Sequence, residues 1–259
     1  NQGFEFELSA SPVQSNSFNW SVSASISLPS NKLVRFEGLS TSGYSTSYIE
    51  GKPLSVIYKL NSLGTNPSTG VFDFDDINKD NAVSIPEDFI VKGDADPSYY
   101  GGIRNTLSFK KIELDFFIDF KKQTGINYLY SIYSNFSIPG FSANQPKYVL
   151  ERWQKNGDIS EVQKFTTITY NDVYAAKETL RYSNGVYSDA SFVRLKTASI
   201  SWQLPAVIFK GIKTYNSKKF LTGQNLLTIS NYKGTDPEIQ NYYALPPLRT
   251  IAAGISLNL

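Results

Sequence analysis

The sequence predicts an all-β chain: consecutive strands of an antiparallel transmembrane β-barrel, joined by short turns on one side and long loops on the other. Three observations carry this. Polar and apolar residues alternate over segments about ten long, the length and period of a tilted strand crossing a bilayer. The connections between these segments alternate between short and long, as they do in outer-membrane barrels. No run of 18 apolar residues occurs, so no membrane helix is available.

The elements follow in order. Phe4, Phe6, Leu8 and Ala10 share one face of the first strand, against Glu5, Glu7 and Ser9. A polar turn at residues 12–17 precedes the most regular run. There Trp20, Val22, Ala24, Ile26 and Leu28 alternate with Ser21, Ser23, Ser25 and Ser27, a strict period of two. Residues 30–98 hold Gly38, Gly43, Gly51, Pro53, Gly64, Pro67 and Gly70 and an acidic cluster at 73–80, and read as a long, partly structured loop. The third strand covers 99–109. Lys110 and Lys111 form a tight turn. The fourth strand sets Ile112, Leu114, Phe116, Ile118 and Phe120 against Glu113, Asp115 and Asp119.

A second insertion, 123–190, holds Tyr128, Tyr130, Tyr133, Pro139-Gly140 and Trp153, with a helical turn at 177–181. In the fifth strand Ala198, Ile200, Trp202 and Leu204 oppose Ser199, Ser201 and Gln203. Val193 and Leu195 have the other parity, which predicts a bulge near Lys196. A connector (205–215), a sixth strand (217–229) and a third loop (230–248) follow. The last strand places Ile251, Ala253, Ile255, Leu257 and Leu259 on one face, and Ala252, Gly254, Ser256 and Asn258 on the other. With this topology every long loop lies outside the cell and the C-terminus lies in the periplasm. Seven strands do not complete a bacterial single-chain barrel, whose strand number is even, so further strands come from elsewhere.

Composition agrees. Tyr and Phe number 17 each, and β-branched residues, Ser and Asn are frequent. Mean hydropathy is −0.27, in keeping with strands that alternate between lipid and lumen, and equally with a soluble β-protein. The net charge of +2 and the lack of a basic run argue against nucleic acid as a partner. The chain has no Cys and no His, which excludes Ser-His-Asp and Cys-His chemistry, zinc fingers and disulfides within it. It also has no Met and no leader-like segment, so it reads as a portion of a longer protein, without a signal peptide.

The residues at 76–87 are spaced like a Ca²⁺ loop. Asp76, Asn78, Asp80, Ser84 and Glu87 occupy positions 1, 3, 5, 9 and 12, with the Ala82 carbonyl at 7. Asn81 stands where Gly is usual, and Asn tolerates the left-handed backbone better than most residues. The competing reading is a solvated acidic turn. The loop tyrosines and Trp153 have the surface to stack on sugars or peptide side chains; packing within the loop, or an aromatic girdle, is the favoured reading. Trp20 and Trp202 read as lipid-facing or interfacial. The row Glu113, Asp115 and Asp119 is explained by a polar lumen more simply than by catalysis, so the chain is read as no enzyme.

Several segments, in order, resemble the C-terminal part of SusC/RagA-type TonB-dependent outer-membrane transporters. They are Asn1-Gln-Gly-Phe-Glu; Asp80; Asp94-Ala-Asp-Pro-Ser-Tyr-Tyr-Gly-Gly102 with Asn105-Thr-Leu-Ser-Phe109; Glu151-Arg-Trp153; Ser191-Phe-Val-Arg-Leu195; Thr222-Gly-Gln-Asn-Leu226; Lys233-Gly-Thr-Asp-Pro-Glu238; and Leu248-Arg-Thr250. The resemblance spans nearly the whole chain. It implies a barrel of about 22 strands, of which residues 1–259 are a C-terminal portion, with the plug domain elsewhere. It implies import of a glycan or peptide across the outer membrane, a SusD-like surface lipoprotein as lid, and TonB as energy source. Leu259 departs from the aromatic residue that usually ends such barrels. The rival reading is a secreted β-sandwich or adhesin-type module. The two differ in facing: a sandwich buries Phe4, Phe6, Ile255 and Leu257 in a core, whereas a barrel turns them outward to lipid.

Overall fold

The computed structural model describes residues 1–134, 139–140, 145–205, 208–209, 212–213, 215–241 and 244–258. Seven long strands form one sheet. They are β1 (Gln2–Gln14), β2 (Phe18–Ser30), β3 (Tyr99–Phe109), β4 (Ile112–Lys122), β5 (Phe192–Gln203), β6 (Tyr215–Ser230) and β7 (Thr250–Asn258). Sheet order equals chain order and every neighbouring pair is antiparallel. Among the described residues the sheet is open, with β1 and β7 at its edges.

Register decides the facing. Phe6 pairs with Ile26, Ile26 with Gly101, Gly101 with Phe120, Phe120 with Val193, and Val193 with Ile229. Nearer the turns, Trp20 pairs with Leu107, Leu107 with Leu114, Leu114 with Ile200, Ile200 with Leu221, and Leu221 with Ala253. Paired residues point to the same side of a sheet, so one apolar face runs unbroken across all seven strands. Asn105 is a polar member of that face, and the Trp20 Nε1–H donates to its Oδ1 at 3.1 Å. The opposite face is polar, with Glu7 beside Ser25, Arg104 beside Ser23, Asp115 beside Thr106 and Ser199, and Thr222 beside Ala252.

The apolar face is left uncovered. Phe4 is 71% exposed, Phe6 59%, and Ile255 and Leu257 60% each. The sandwich reading needs these four in a core. The buried core instead comes from the long loops.

The short connections are tight. Residues 15–17 close β1 onto β2, with the Ser15 amide donating to the Phe18 carbonyl at 2.9 Å. Lys110 takes a left-handed φ of 54° in the two-residue turn between β3 and β4. The predicted bulge is present: the register of β5 shifts between Leu195 and Thr197 against both neighbours, leaving Lys196 unpaired. This lets Arg194, Lys196 and Thr197 all serve the polar face.

Some boundaries differ from the sequence reading. β1 runs on to Gln14 through a register shift between Ala10 and Val13, so the turn at 12–17 contracts to 15–17. Pro12 sits where the ladder is already interrupted, at the open edge, where a missing N–H costs nothing. β6 begins at Tyr215. The connector before it contains a small hairpin, Ile208–Phe209 with Ile212–Lys213. Leu259 lies outside the described residues.

The three long loops, L1 (31–98), L2 (123–191) and L3 (231–249), leave from the same end of the sheet. L1 folds into two small hairpin-like sheets, Val56–Leu60 with Phe89–Asp94 and Ser62–Thr65 with Phe72–Phe74. L2 carries two helices, α1 (Tyr128–Ser134) and α2 (Asp172–Leu180). Asn171 caps α2 by accepting from the Tyr174 amide at 2.9 Å. The expected turn at 177–181 is thus the end of a nine-residue helix. α1 was not expected, because its aromatic and β-branched residues favour strand; burial of Leu129, Ile132 and Tyr133 on one side overrides that preference.

Candidate functional site

L1 and L2 share one core. Phe72 of L1 packs with Leu129, Ile132, Tyr133, Val149, Val162, Leu180 and Val186 of L2. Leu60 is fully buried, and its amide donates to the Tyr182 carbonyl at 3.0 Å. Each such side chain contributes about 1.5–3 kcal/mol through burial, so each loop is held partly by the residues of the other. The tyrosines serve this core. Tyr133 meets Phe72 edge-on at 5.2 Å and Tyr128 lies against Tyr148 at 4.7 Å. Burial pushes the Tyr128 hydroxyl up, and the adjacent Glu161 carboxylate adds to this.

The Glu151-Arg-Trp153 motif staples the loops together. The Trp153 indole donates to the Pro67 carbonyl at 2.9 Å and covers Gly70, which has φ 72° and no room for a Cβ under the ring. Arg152 stacks on Phe165 with its guanidinium 4.0 Å from the ring centre. Trp153 is therefore engaged inside the loop body.

The acidic turn is organised around a residue that the spacing argument did not select. Asp88 is fully buried. Its Oδ1 accepts from the amides of Ile77 (2.8 Å) and Asn78 (3.2 Å), and its Oδ2 from the Ser84 amide (2.8 Å). These bonds, the Ser84 amide foremost, hold its carboxyl below the usual range. Asp76 accepts from the amides of Lys79 (2.7 Å) and Asn81 (2.8 Å), and Asp80 from that of Ala82 (2.9 Å). Lys79 and Asn81 take the left-handed backbone, φ 60° and 69°. Asp76, Asn78 and Asp80 thus come together in one turn, with Asn78 Nδ2 on Asp80 Oδ2 at 2.9 Å. Ser84 turns to Asp88, and Glu87 stands exposed. Among the described residues no three His, Cys, Asp or Glu side chains converge as metal ligands.

L3 folds inward over the polar face. Arg194 of β5 is 1% exposed. It reaches Asp236 and Glu238 of L3 at 2.7 Å each, and Thr228 of β6 at 3.0 Å. Lys196 joins Asp119 of β4 (3.1 Å) to Glu238 (3.8 Å). Two motifs far apart in sequence, Ser191-Phe-Val-Arg-Leu195 and Lys233-Gly-Thr-Asp-Pro-Glu238, are one structural unit.

Toward β1 the polar face carries an open groove of about 600 Å³, lined by Glu7, Ser9, Ser25, Gly102, Arg104 and Phe117 among others. Its lining spans β1 to β5. Asp115 is held there by Arg104 at 2.9 and 3.1 Å and by Thr106 at 2.8 Å. Asp115 and Asp119 of the acidic row of β4 are thus matched by cations and hydroxyls of their neighbours, which is how charge is kept on a strand wall.

No family model matches the chain. Two proteins of Formosa agariphila do: TonB-dependent receptor P26, 26% identical over 93% of this chain, and TonB-dependent receptor P3, 23% identical over 99%. The chain covers 26% and 28% of their lengths, so it spans about a quarter of these relatives. Among solved structures, the RagAB peptide importer in its open-open state superposes with a TM-score of 0.73 at 21% identity, over 99% of this chain and 28% of that one. Its closed-closed state gives 0.67 at 21%, over 98% and 29%. In sequence and in fold alike, what this chain resembles over nearly its whole length is a portion of a SusC/RagA-type TonB-dependent outer-membrane transporter.

Proposed function

We propose that the chain is a wall segment, with its loops, of a transporter that imports a glycan or peptide across the outer membrane. The observation that carries this reading is the uncovered apolar face, continuous over seven strands and backed by a polar face. The apolar face meets lipid. Further strands of the same protein complete a barrel of about 22, a plug outside this segment couples to TonB, and residues 1–259 form the C-terminal portion of the barrel domain. L1, L2 and L3 lie outside the cell, where a SusD-like lipoprotein seats as lid, and β7 ends in the periplasm. Cross-linking of the intact transporter with its lipoprotein tests the orientation. Cross-links are expected at lysines of the loops, such as Lys52, Lys147 and Lys155, and none at Lys110, Lys111 or Lys213. Links at those last three would reverse the topology.

Ca²⁺ at Asp76, Asn78, Asp80, Ala82, Ser84 and Glu87 is a further proposal, supported by the one turn that Asp76, Asn78 and Asp80 share. Calcium should slow amide exchange over residues 76–88, and Asp76→Ala with Asp80→Ala should abolish the effect; unchanged exchange in excess Ca²⁺ removes the site. Acid should act on the same segment through Asp88. A carboxyl depressed in the folded state contributes stability that is present above its unfolded value and lost as pH falls through the folded one. Protection of the Ile77, Asn78 and Ser84 amides should therefore be full at neutral pH and fall as the pH drops below the ordinary carboxylate value of 3.8.

A further inference from the structure

We propose that Arg194 is a positioning residue for import and that L3 is the strap through which it acts; the word import rests on the function proposed above. Arg194 is the buried cation where wall and loops meet. It takes one carboxylate oxygen each from Asp236 and Glu238, and its Nε–H goes to Thr228. The second oxygen of Asp236 accepts from the amides of Glu238 (2.9 Å) and Ile239 (3.1 Å), and its carbonyl accepts from that of Gln240 (2.9 Å). One carboxylate thus shapes the strap and fastens it to the wall. The strap in turn holds L2. The Tyr128 amide at the start of α1 donates to the Lys233 carbonyl at 2.8 Å, Lys233 pairs with Glu161, and the buried Gln123 side chain donates to the Pro237 carbonyl at 2.8 Å.

The chain of contacts runs from β5 through L3 to the core shared by L1 and L2. A guanidinium this buried cannot release its carboxylates without leaving an uncompensated charge, so the connection is rigid. It draws the strap across the mouth above β5 and β6. Arg194 therefore sets where the loop body stands relative to the opening.

The test uses the full transporter with its lipoprotein in membranes, followed by hydrogen exchange, lipoprotein capture and uptake. In Arg194→Leu, exchange at the amides of Tyr128, Glu238, Ile239 and Gln240 should accelerate about a hundredfold. The β3–β4 ladder should keep its protection, and capture and uptake should fall together. Arg104→Leu removes another Arg–carboxylate pair of the same face, with no strap attached, and should leave those four amides unchanged. Equal acceleration in β3–β4 would make Arg194 a merely structural residue. Unchanged exchange at the four amides, or uptake at the wild-type level with a freed strap, would overturn the proposal. Should Arg194→Leu fail to assemble, Asp236→Asn poses the same question with the charge removed from the strap side. A wild-type protein that takes up no glycan or peptide would defeat the functional reading alone, since the exchange pattern would still decide the strap.

Discussion

Arginine at Phe116 should destabilise the folded barrel by about 2–4 kcal/mol, whereas arginine at Ser199 should cost much less. Phe116 sits in the middle of β4, paired with Asn105 on one side and Ala198 on the other, on the apolar face. In the membrane setting proposed above, a guanidinium there has lipid around it and nothing to solvate it. Ser199 lies opposite Asp115 on the polar face, where a new cation meets water and a carboxylate. Urea unfolding of the refolded whole transporter in bilayers measures both. Equal costs would mean that the two faces do not see different solvents, and the lipid-facing assignment would fail.

Leu180→Ala should cost the loop body about 2–5 kcal/mol while leaving the sheet intact. Leu180 is 1% exposed at the end of α2, in the core that L1 and L2 build jointly. Its truncation opens a cavity in a small core with little else to collapse into it. Limited proteolysis should therefore cut L1 and L2 together at a protease level that spares the wild type, and heat-modifiable migration of the barrel should persist. Cleavage confined to L2 would show that the loops are independent. The same core changes what a larger lesion does. On the sequence alone, removing residues 135–185 deletes one loop and with it partner capture. In the structure it also strips Val149, Trp153, Val162 and Leu180 from their contacts with L1. It should then unfold L1 as well, leaving β1 to β7 paired.

The strands were legible in the sequence because a strand wall between two solvents is a local code. Each residue from Trp20 to Leu28 lies on either the apolar or the polar face of the sheet, and the alternation of Ser with Val, Ala, Ile and Leu records that choice residue by residue. The parity switch between Leu195 and Ala198 recorded the bulge at Lys196 in the same way. The loops obey no such code. Tyr128 to Ser134 is helical only because Phe72, more than fifty residues earlier, closes over it. Asp88 commands the acidic turn through three amides, whereas spacing pointed to Glu87, one residue away, as the carboxylate that closes it. Arg194 stands in the sequence only as part of the Ser191-Phe-Val-Arg-Leu195 stretch, and the inward fold of L3 makes it the buried partner of Asp236 and Glu238. Facing depends on the two nearest neighbours along the chain, so the sequence by itself determined the strands, their sides and the end from which the loops leave. Burial and ion pairing in the loops depend on residues distant in sequence, and those only the tertiary structure decided.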